Sequence, residues 1–477
     1  MLRLYRLSRL QMLNTRSFFM KIPALLFLLI VALPIYGCKK YNPKLKQVIQ
    51  PEVSTDPDQY DVPFDKVPNT SDIIMYEVNL RAFSQEGNLK GVQNRLDEIK
   101  DLGVNVIWLM PIYPIGSLNS VGSPYCIKDY KAVNTEFGNL EDLRILVKEA
   151  HKREMSVMLD WVANHTAWDH PWIQTKSWYQ QNANGEIVSP DGWDDVAKLN
   201  YDNQNMRKEM IAAMKYWILA ANVDGYRCDH TDGVPADFWT EAIDSLNNIP
   251  NRKIIMFAEG VRNDLFDSGF QLNFGWNFYH TLKDIYNDNQ PASKLAEAHT
   301  KDYNGMSPGN HVLRFTSNHD DNAWDNTPIH IFNGKQGSMA AFLLTSYMGG
   351  VPMIYNGQEV GCPIMLSFFD KTPIDWSINP EIAAEYKKVI RVRKDNEAIK
   401  NGDIQHYNNH QDIVAFKKTS GTEEVVVLVN VRNQSVSYEV DQSLLQQSWR
   451  DAFDQRDYVM NSTVDLAPYS YLVLKNK

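Results

Sequence analysis

Short apolar runs alternate with helically spaced apolar positions from residue 73 to about residue 398. The first run, Ile73-Ile74-Met75-Tyr76-Glu77-Val78, reads as a strand. Leu89, Val92, Leu96, Ile99 and Leu102 then recur at helical spacing, and Gly103 stops that helix. Val104-Asn105-Val106-Ile107-Trp108-Leu109 is nearly continuous apolar sequence, as expected of a strand buried on both faces. Leu143, Leu146, Val147 and Ala150 mark the next helix, and 155–160 the next strand. The same reading gives strands over 223–228, 253–259, 311–316 and 351–355, with a weaker one near 269–274. Helices are predicted over 206–221, 237–246, 336–348 and 381–396. Strands that alternate with helices imply a parallel sheet, and eight βα units predict an α/β fold, a closed (β/α)8 TIM barrel over residues 71–398. An open doubly wound sheet is the alternative, but no Gly-x-Gly-x-x-Gly follows the first strand.

This span is longer than the ~250 residues typical of such barrels, so it carries insertions. The clearest, about 161–205, is rich in Trp, Asn, Asp and Gly and reads as a small excursion that walls the active site. From residue 399 to 477 the pattern changes to alternation, with strands over 412–416, 424–429, 435–440 and 469–474. A C-terminal antiparallel all-β domain, a small sandwich, is expected there.

Composition narrows the function classes. Net charge is −10, and no long basic run follows residue 40, which argues against a nucleic-acid surface. The 12 Trp and 23 Tyr suit a protein that stacks flat ligands such as sugar rings, although large proteins bury many aromatics in any case. Arg3, Arg6, Arg9, Arg16 and Lys21 precede an apolar stretch, 22–35, too short to span a membrane comfortably. It ends in Ile35-Tyr36-Gly37-Cys38, which resembles a bacterial lipoprotein signal. Residues 1–38 are therefore expected to be an export signal. Lipidation of Cys38 would tether the protein to a membrane of the cell envelope without spanning it. Residues 39–70 lack periodicity and are expected to be a flexible tether. Cys126, Cys228 and Cys362 remain and cannot all pair, so no disulfide framework is predicted.

Polar residues gather where the predicted strands end. The third strand ends in Asp160, followed by Asn164 and His165, and the fourth in Arg227 and Asp229. The fifth ends in Glu259 and the seventh in Asn318-His319-Asp320. Singly, each has a bland reading as a helix cap, a turn or an ordinary ion pair. Together they stand where a parallel barrel collects catalytic groups. Converging carboxylates suit glycoside hydrolysis, which needs one ionised carboxylate and one protonated carboxyl group flanking the bond. Arg227 leaves the same strand face as Asp229 and favours its ionised form, which makes Asp229 the better nucleophile. Glu259 has no adjacent cation in sequence, which makes it the better candidate for a raised pKa and for the acid. Asp320 is the third carboxylate, and His165 and His319 can donate hydrogen bonds to sugar hydroxyls.

At these residues the chain resembles the alpha-amylase family of glycoside hydrolases (family 13). Asp160-Trp-Val-Ala-Asn164-His165, Gly225-Tyr-Arg227-Cys-Asp229, Phe257-Ala-Glu259-Gly260 and Thr316-Ser-Asn318-His319-Asp320 are similar to the family's four motifs, in the family's order. The segments 103–114 and 350–359 are similar to further family segments. The resemblance implies a barrel with an inserted B domain and a β-sandwich C domain. It implies Asp229 as nucleophile, Glu259 as acid/base and Asp320 as transition-state stabiliser. Arg227, His165 and His319 would bind the sugar at the cleaved bond, over Tyr125 as an aromatic platform. Asp160 and Asn318 would support the site. The expected substrate is an alpha-glucan or maltooligosaccharide, and the chemistry requires no cofactor.

The chain departs from the family at His230-Thr231-Asp232-Gly233, where many members carry Lys-His at the last two positions. Those residues bind leaving-side sugars and a calcium ion, so their absence puts the usual calcium site in doubt. Asn164 matches a common calcium ligand, but one ligand does not make a site for a cation that takes six to eight oxygens. Ala197-Lys198-Leu199-Asn200 resembles the segment of neopullulanases and cyclomaltodextrin hydrolases. A glucanotransferase or an alpha-glucosidase on short oligosaccharides stays open, because transfer and hydrolysis share one intermediate. A glycan-binding protein on a degenerate barrel would have lost at least one carboxylate. Metal-dependent hydrolysis has no His-x-x-x-His pair on a predicted helix to support it.

Overall fold

The computed structural model describes residues 55–477 apart from Gln446. The expected signal, Cys38 and residues 39–54 lie outside the described residues. Among the described residues, no helix is long and apolar enough to cross a membrane.

The strands β1 (Met75–Val78), β2 (Val106–Leu109), β3 (Ser156–Val162), β4 (Gly225–Asp229), β5 (Ile255–Ala258), β6 (Leu272–Phe274), β7 (His311–Arg314) and β8 (Val351–Tyr355) close into a parallel barrel. Each strand pairs with its sequence neighbours, and β1 pairs with β8. β1, β2, β3, β5, β6 and β8 are buried at every position, the reason their sequences are mostly apolar, with Glu77, Ser156, Asp160 and Asn273 as buried polar exceptions. The helices supply the outer ring. Leu140–Lys152 turns Leu143, Leu146, Val147 and Ala150 inward, and its start is fixed by a capping box between Asn139 and Asp142. The helix expected from Leu89 to Leu102 is two, Leu89–Gln93 and Leu96–Asp101. The break falls at Arg95, whose guanidinium stacks on Trp376 with 4.3 Å to the ring centroid.

β3 runs two residues past Asp160 because Trp161 and Val162 continue the ladder opposite Cys228 and Asp229. The excursion that follows holds a two-stranded ribbon, His165–Ala167 against Val196–Lys198. Residues 55–70, expected as tether, are packed on the barrel instead. The Tyr60 N–H bonds the Leu219 carbonyl at 2.8 Å, and Phe64 stacks on His151 at 4.2 Å. The aromatic and apolar anchors there, Phe64 and Val67, carry no period and so gave no signal.

The C-terminal part is antiparallel. β9 (Asp403–His406), β10 (Ile413–Ser420), β11 (Glu423–Asn430), β13 (Trp449–Asp451), β14 (Asp457–Tyr458) and β16 (Tyr471–Asn476) form one sheet in the order β9-β10-β11-β16-β13-β14. β12 (Val436–Glu439) and β15 (Thr463–Leu466) form a second. Ile413, Val426, Leu428 and Trp449 of the first sheet share a core with Tyr438 and Val464 of the second. Cys126, Cys228 and Cys362 are buried free thiols.

Candidate active site

The C-terminal ends of the barrel strands bring the predicted residues around one guanidinium. Asp160 and Arg227 are register partners across β3 and β4. Arg227 Nη1 therefore donates to both Asp160 oxygens, at 2.8 and 3.0 Å. The same nitrogen donates to Asp229 Oδ1 at 3.0 Å. Nη2 lies 2.8 Å from Glu259 Oε2, an ion pair rather than an aligned hydrogen bond. Arg227 is fully buried, with Trp108 5.1 Å and Tyr125 5.7 Å from its carbon. The expectation that Glu259 stands without a cation is thus corrected. β4 and β5 are adjacent strands, and the cation that sequence places beside Asp229 serves Glu259 as well.

β4 can approach β5 this closely because it begins with Gly225. A Cβ there would lie 2.0 Å from the Ile255 carbonyl oxygen. After β4, His230 takes a left-handed conformation, φ 43° and ψ 48°. This aims its backbone N–H at Glu259 Oε2, 2.9 Å away. The departures at Asp232 and Gly233 have local reasons. Asp232 accepts the backbone N–H of Val261 at 3.0 Å and pins the loop after Glu259. A Cβ at Gly233 would meet the His230 ring at 2.5 Å and Asn164 Oδ1 at 2.7 Å.

The remaining groups close the pocket from the other side. Tyr125 stacks on His319, and its hydroxyl lies 2.8 Å from His319 Nε2 and 3.1 Å from Asp160 Oδ2. Asp320 lies beside them, half-exposed, with 3.6 Å between its Oδ2 and His319 Nε2. Asn318 caps the short helix that carries both, accepting the Asp321 N–H at 2.8 Å. His165 is buried, and burial and His230 push it down to about 3, so it meets a ligand as a neutral ring. Burial raises the Asp160 carboxyl above the usual range, and Arg227 pulls it back. Asn164 turns its amide nitrogen to His165 Nδ1 at 3.3 Å. Among the described residues, no group of three or more His, Cys, Asp or Glu could hold a metal ion.

Glu77 is a site residue that the sequence reading left in its strand. It sits fully buried on β1, and its Oε1 is 2.6 Å from His319 Nδ1. A lone carboxylate inside an otherwise apolar strand is the signal that marks it. Burial raises Glu77; burial lowers His319, but Asp320 and Glu77 more than offset this and hold it at about 9. Both shifts keep a proton in the pair. With the folded value near 9 against an ordinary 6.5, His319 stabilises the fold fully below about pH 6.5, and that contribution is lost as pH rises through about 9. Glu77→Gln is expected to lower stability at neutral pH by about 2 kcal/mol. It should also flatten the alkaline decline, read from melting temperature against pH. An unchanged decline in the variant would show that the pair does not carry it.

The chain matches the model of the alpha-amylase catalytic domain over residues 54–186 and 174–372, more than half its length. It belongs to the alpha-amylase family. It is similar to alpha-amylase 2 of Dictyoglomus thermophilum, 27% identical over 449 residues, covering 87% of this chain and 75% of that one. It is also similar to a cyclomaltodextrinase of Thermoanaerobacter pseudethanolicus, 26% identical, covering 74% of this chain and 65% of that one. Among solved structures, an alpha-amylase from Lactobacillus plantarum superposes with a TM-score of 0.77 at 26% identity, covering 85% of this chain and 99% of that one. This alpha-amylase family member is a glycoside hydrolase enzyme, and the family's chemistry needs no cofactor.

Proposed function

We propose that the protein hydrolyses alpha-glucosidic bonds of starch-like glucans or maltooligosaccharides with retention of anomeric configuration. The observation that carries this reading is the single buried Arg227, which holds Asp160, Asp229 and Glu259 together at the mouth of the barrel. Asp229 attacks the anomeric carbon as the glycosidic C–O bond breaks, and Glu259 gives its proton to the departing oxygen. Water then attacks the glycosyl-aspartate, Glu259 takes the proton from it, and Asp229 leaves as carboxylate. Asp160 holds Arg227, and Asp320 and His319 bind hydroxyls of the sugar lying on Tyr125. The names of the relatives, alpha-amylase and cyclomaltodextrinase, support alpha-linked glucose as the substrate.

Aromatic surface beyond Tyr125 supports a substrate of several sugars. The half-exposed Trp324 stands 6.0 Å from the half-buried Phe369, and both pack on the buried Phe368, which stands edge-on to Tyr125 at 6.3 Å. Stacking on Trp324 and Phe369 would hold a further sugar. The test is early-time product analysis with maltoheptaose, by chromatography and by NMR of the anomeric protons. Shorter alpha-configured sugars are expected. Beta-configured first products would overturn retention, and products longer than maltoheptaose would make the protein a transferase.

A further inference from the structure

A cavity of about 700 Å³ lies at the opposite end of the barrel from the candidate active site. Its walls are Ser71 ahead of β1, His311 and Gly350 at the starts of β7 and β8, and Asp403 and Lys418 of the C-terminal sheet. That end of such a barrel ordinarily carries only packing. Here it carries cations that form no ion pair among the described residues, although Asp403 lies on the same wall. Lys418 is 3% exposed, and its Nζ donates to the Ile399 carbonyl oxygen at 2.7 Å. Arg393, behind the wall, donates to the carbonyls of Ser71 and Gly350, and its buried Nε has no acceptor. Lys253, at the mouth, donates to Asn69 Oδ1 and the Val67 carbonyl. Neither Lys418, Arg393 nor Lys253 forms an ion pair among the described residues, whereas Lys400 on the same cavity pairs with Asp72 and Glu397. Arg227 at the other end shows how a buried cation is ordinarily held, by carboxylates on each side. Burial and Arg393 push Lys418 down to about 7, against the pull of Asp403, and His311 is lowered by burial and by the same Arg393.

The geometry points to a binding site for a small phosphate ester in this cavity, with Lys418 and Lys253 taking the phosphoryl oxygens and Arg393 adding its charge from behind. The volume is that of a small-molecule site rather than of a bare ion. A phosphate supplies the direct ion-pair partner that these cations lack, with acceptor oxygens that lysine ammonium groups bind as point charges.

Thermal unfolding of the full protein with inorganic phosphate, glucose 6-phosphate or glucose tests this. A ligand that binds only the folded state raises the midpoint. Glucose 6-phosphate is expected to raise it most, inorganic phosphate less, and glucose, the control for binding at the active site, not at all. Lys418→Met should abolish the rise while leaving its own midpoint unchanged or higher, because an unpaired buried charge has been removed. Lys253→Met should weaken the phosphate ester about tenfold. No rise with either phosphate in the wild-type protein, or an equal rise in Lys418→Met, overturns the site. If Lys418→Met does not fold, Lys253→Met decides alone, and an unchanged affinity overturns it.

Discussion

Asp229→Asn is expected to remove nearly all turnover and leave the fold intact. The amide keeps the shape of the carboxylate and can still accept from Arg227 Nη1, now 3.0 Å away. It cannot form an ester with the anomeric carbon. Loss of a nucleophile of this kind costs about 10⁴- to 10⁶-fold in kcat. The fold should tolerate the change because Arg227 keeps Asp160 and Glu259, so its buried charge is not orphaned. Asp229 is also slightly exposed, with 13% of its side chain open to solvent, so little desolvated charge is lost with it. The measurement is kcat on maltoheptaose beside melting temperature. Activity above about one hundredth of wild type, with an unchanged melting temperature, would remove Asp229 as nucleophile.

What the sequence made legible follows from where burial is two-sided. β2 and β5 are buried at every position, and such strands stand out against amphipathic helices. The helices Trp276–Asn287 and Lys294–Tyr303 were not legible in the same way. In the first, Phe278, Leu282, Ile285 and Tyr286 do recur at helical spacing, and the second buries only Leu295, two alanines and His299, a face too weakly apolar to stand out. β9 alternates only between exposed and half-buried positions at a sheet edge, and β14 is a two-residue strand, so neither carries a strong period-two signal.

The candidate site was legible as a set of strand ends, because barrel topology brings those ends together whatever the loops do. Contacts between adjacent strands were not. Sequence separates Arg227 from Glu259 and Glu77 from His319, and only the barrel order places each pair within 3 Å. That is why Glu259 looks free of cations in sequence and meets Arg227 in the fold.

The correction at Glu259 sharpens the second large effect. With Arg227 Nη2 against Glu259 Oε2, the acid role rests on position rather than on isolation from cations. The His230 N–H fixes one carboxylate oxygen at 2.9 Å and leaves the other for the departing oxygen. Glu259→Gln should therefore keep the loop geometry and lose proton transfer, a contribution of about 10²- to 10⁴-fold. The loss depends on the leaving group. A sugar hydroxyl departs poorly without a proton, so maltooligosaccharide cleavage should fall by the full factor. An activated aryl alcohol departs as its own stable anion, so formation of the glycosyl-aspartate should be nearly spared. Its hydrolysis still needs Glu259 to take a proton from water. A burst of aryl alcohol followed by slow turnover is expected, with the glycosylated protein visible by mass. Equal losses on both substrates, without a burst, would take the acid role away from Glu259. The other carboxylate open to the pocket is Asp320, half-exposed beside His319, and it would then be the group to substitute.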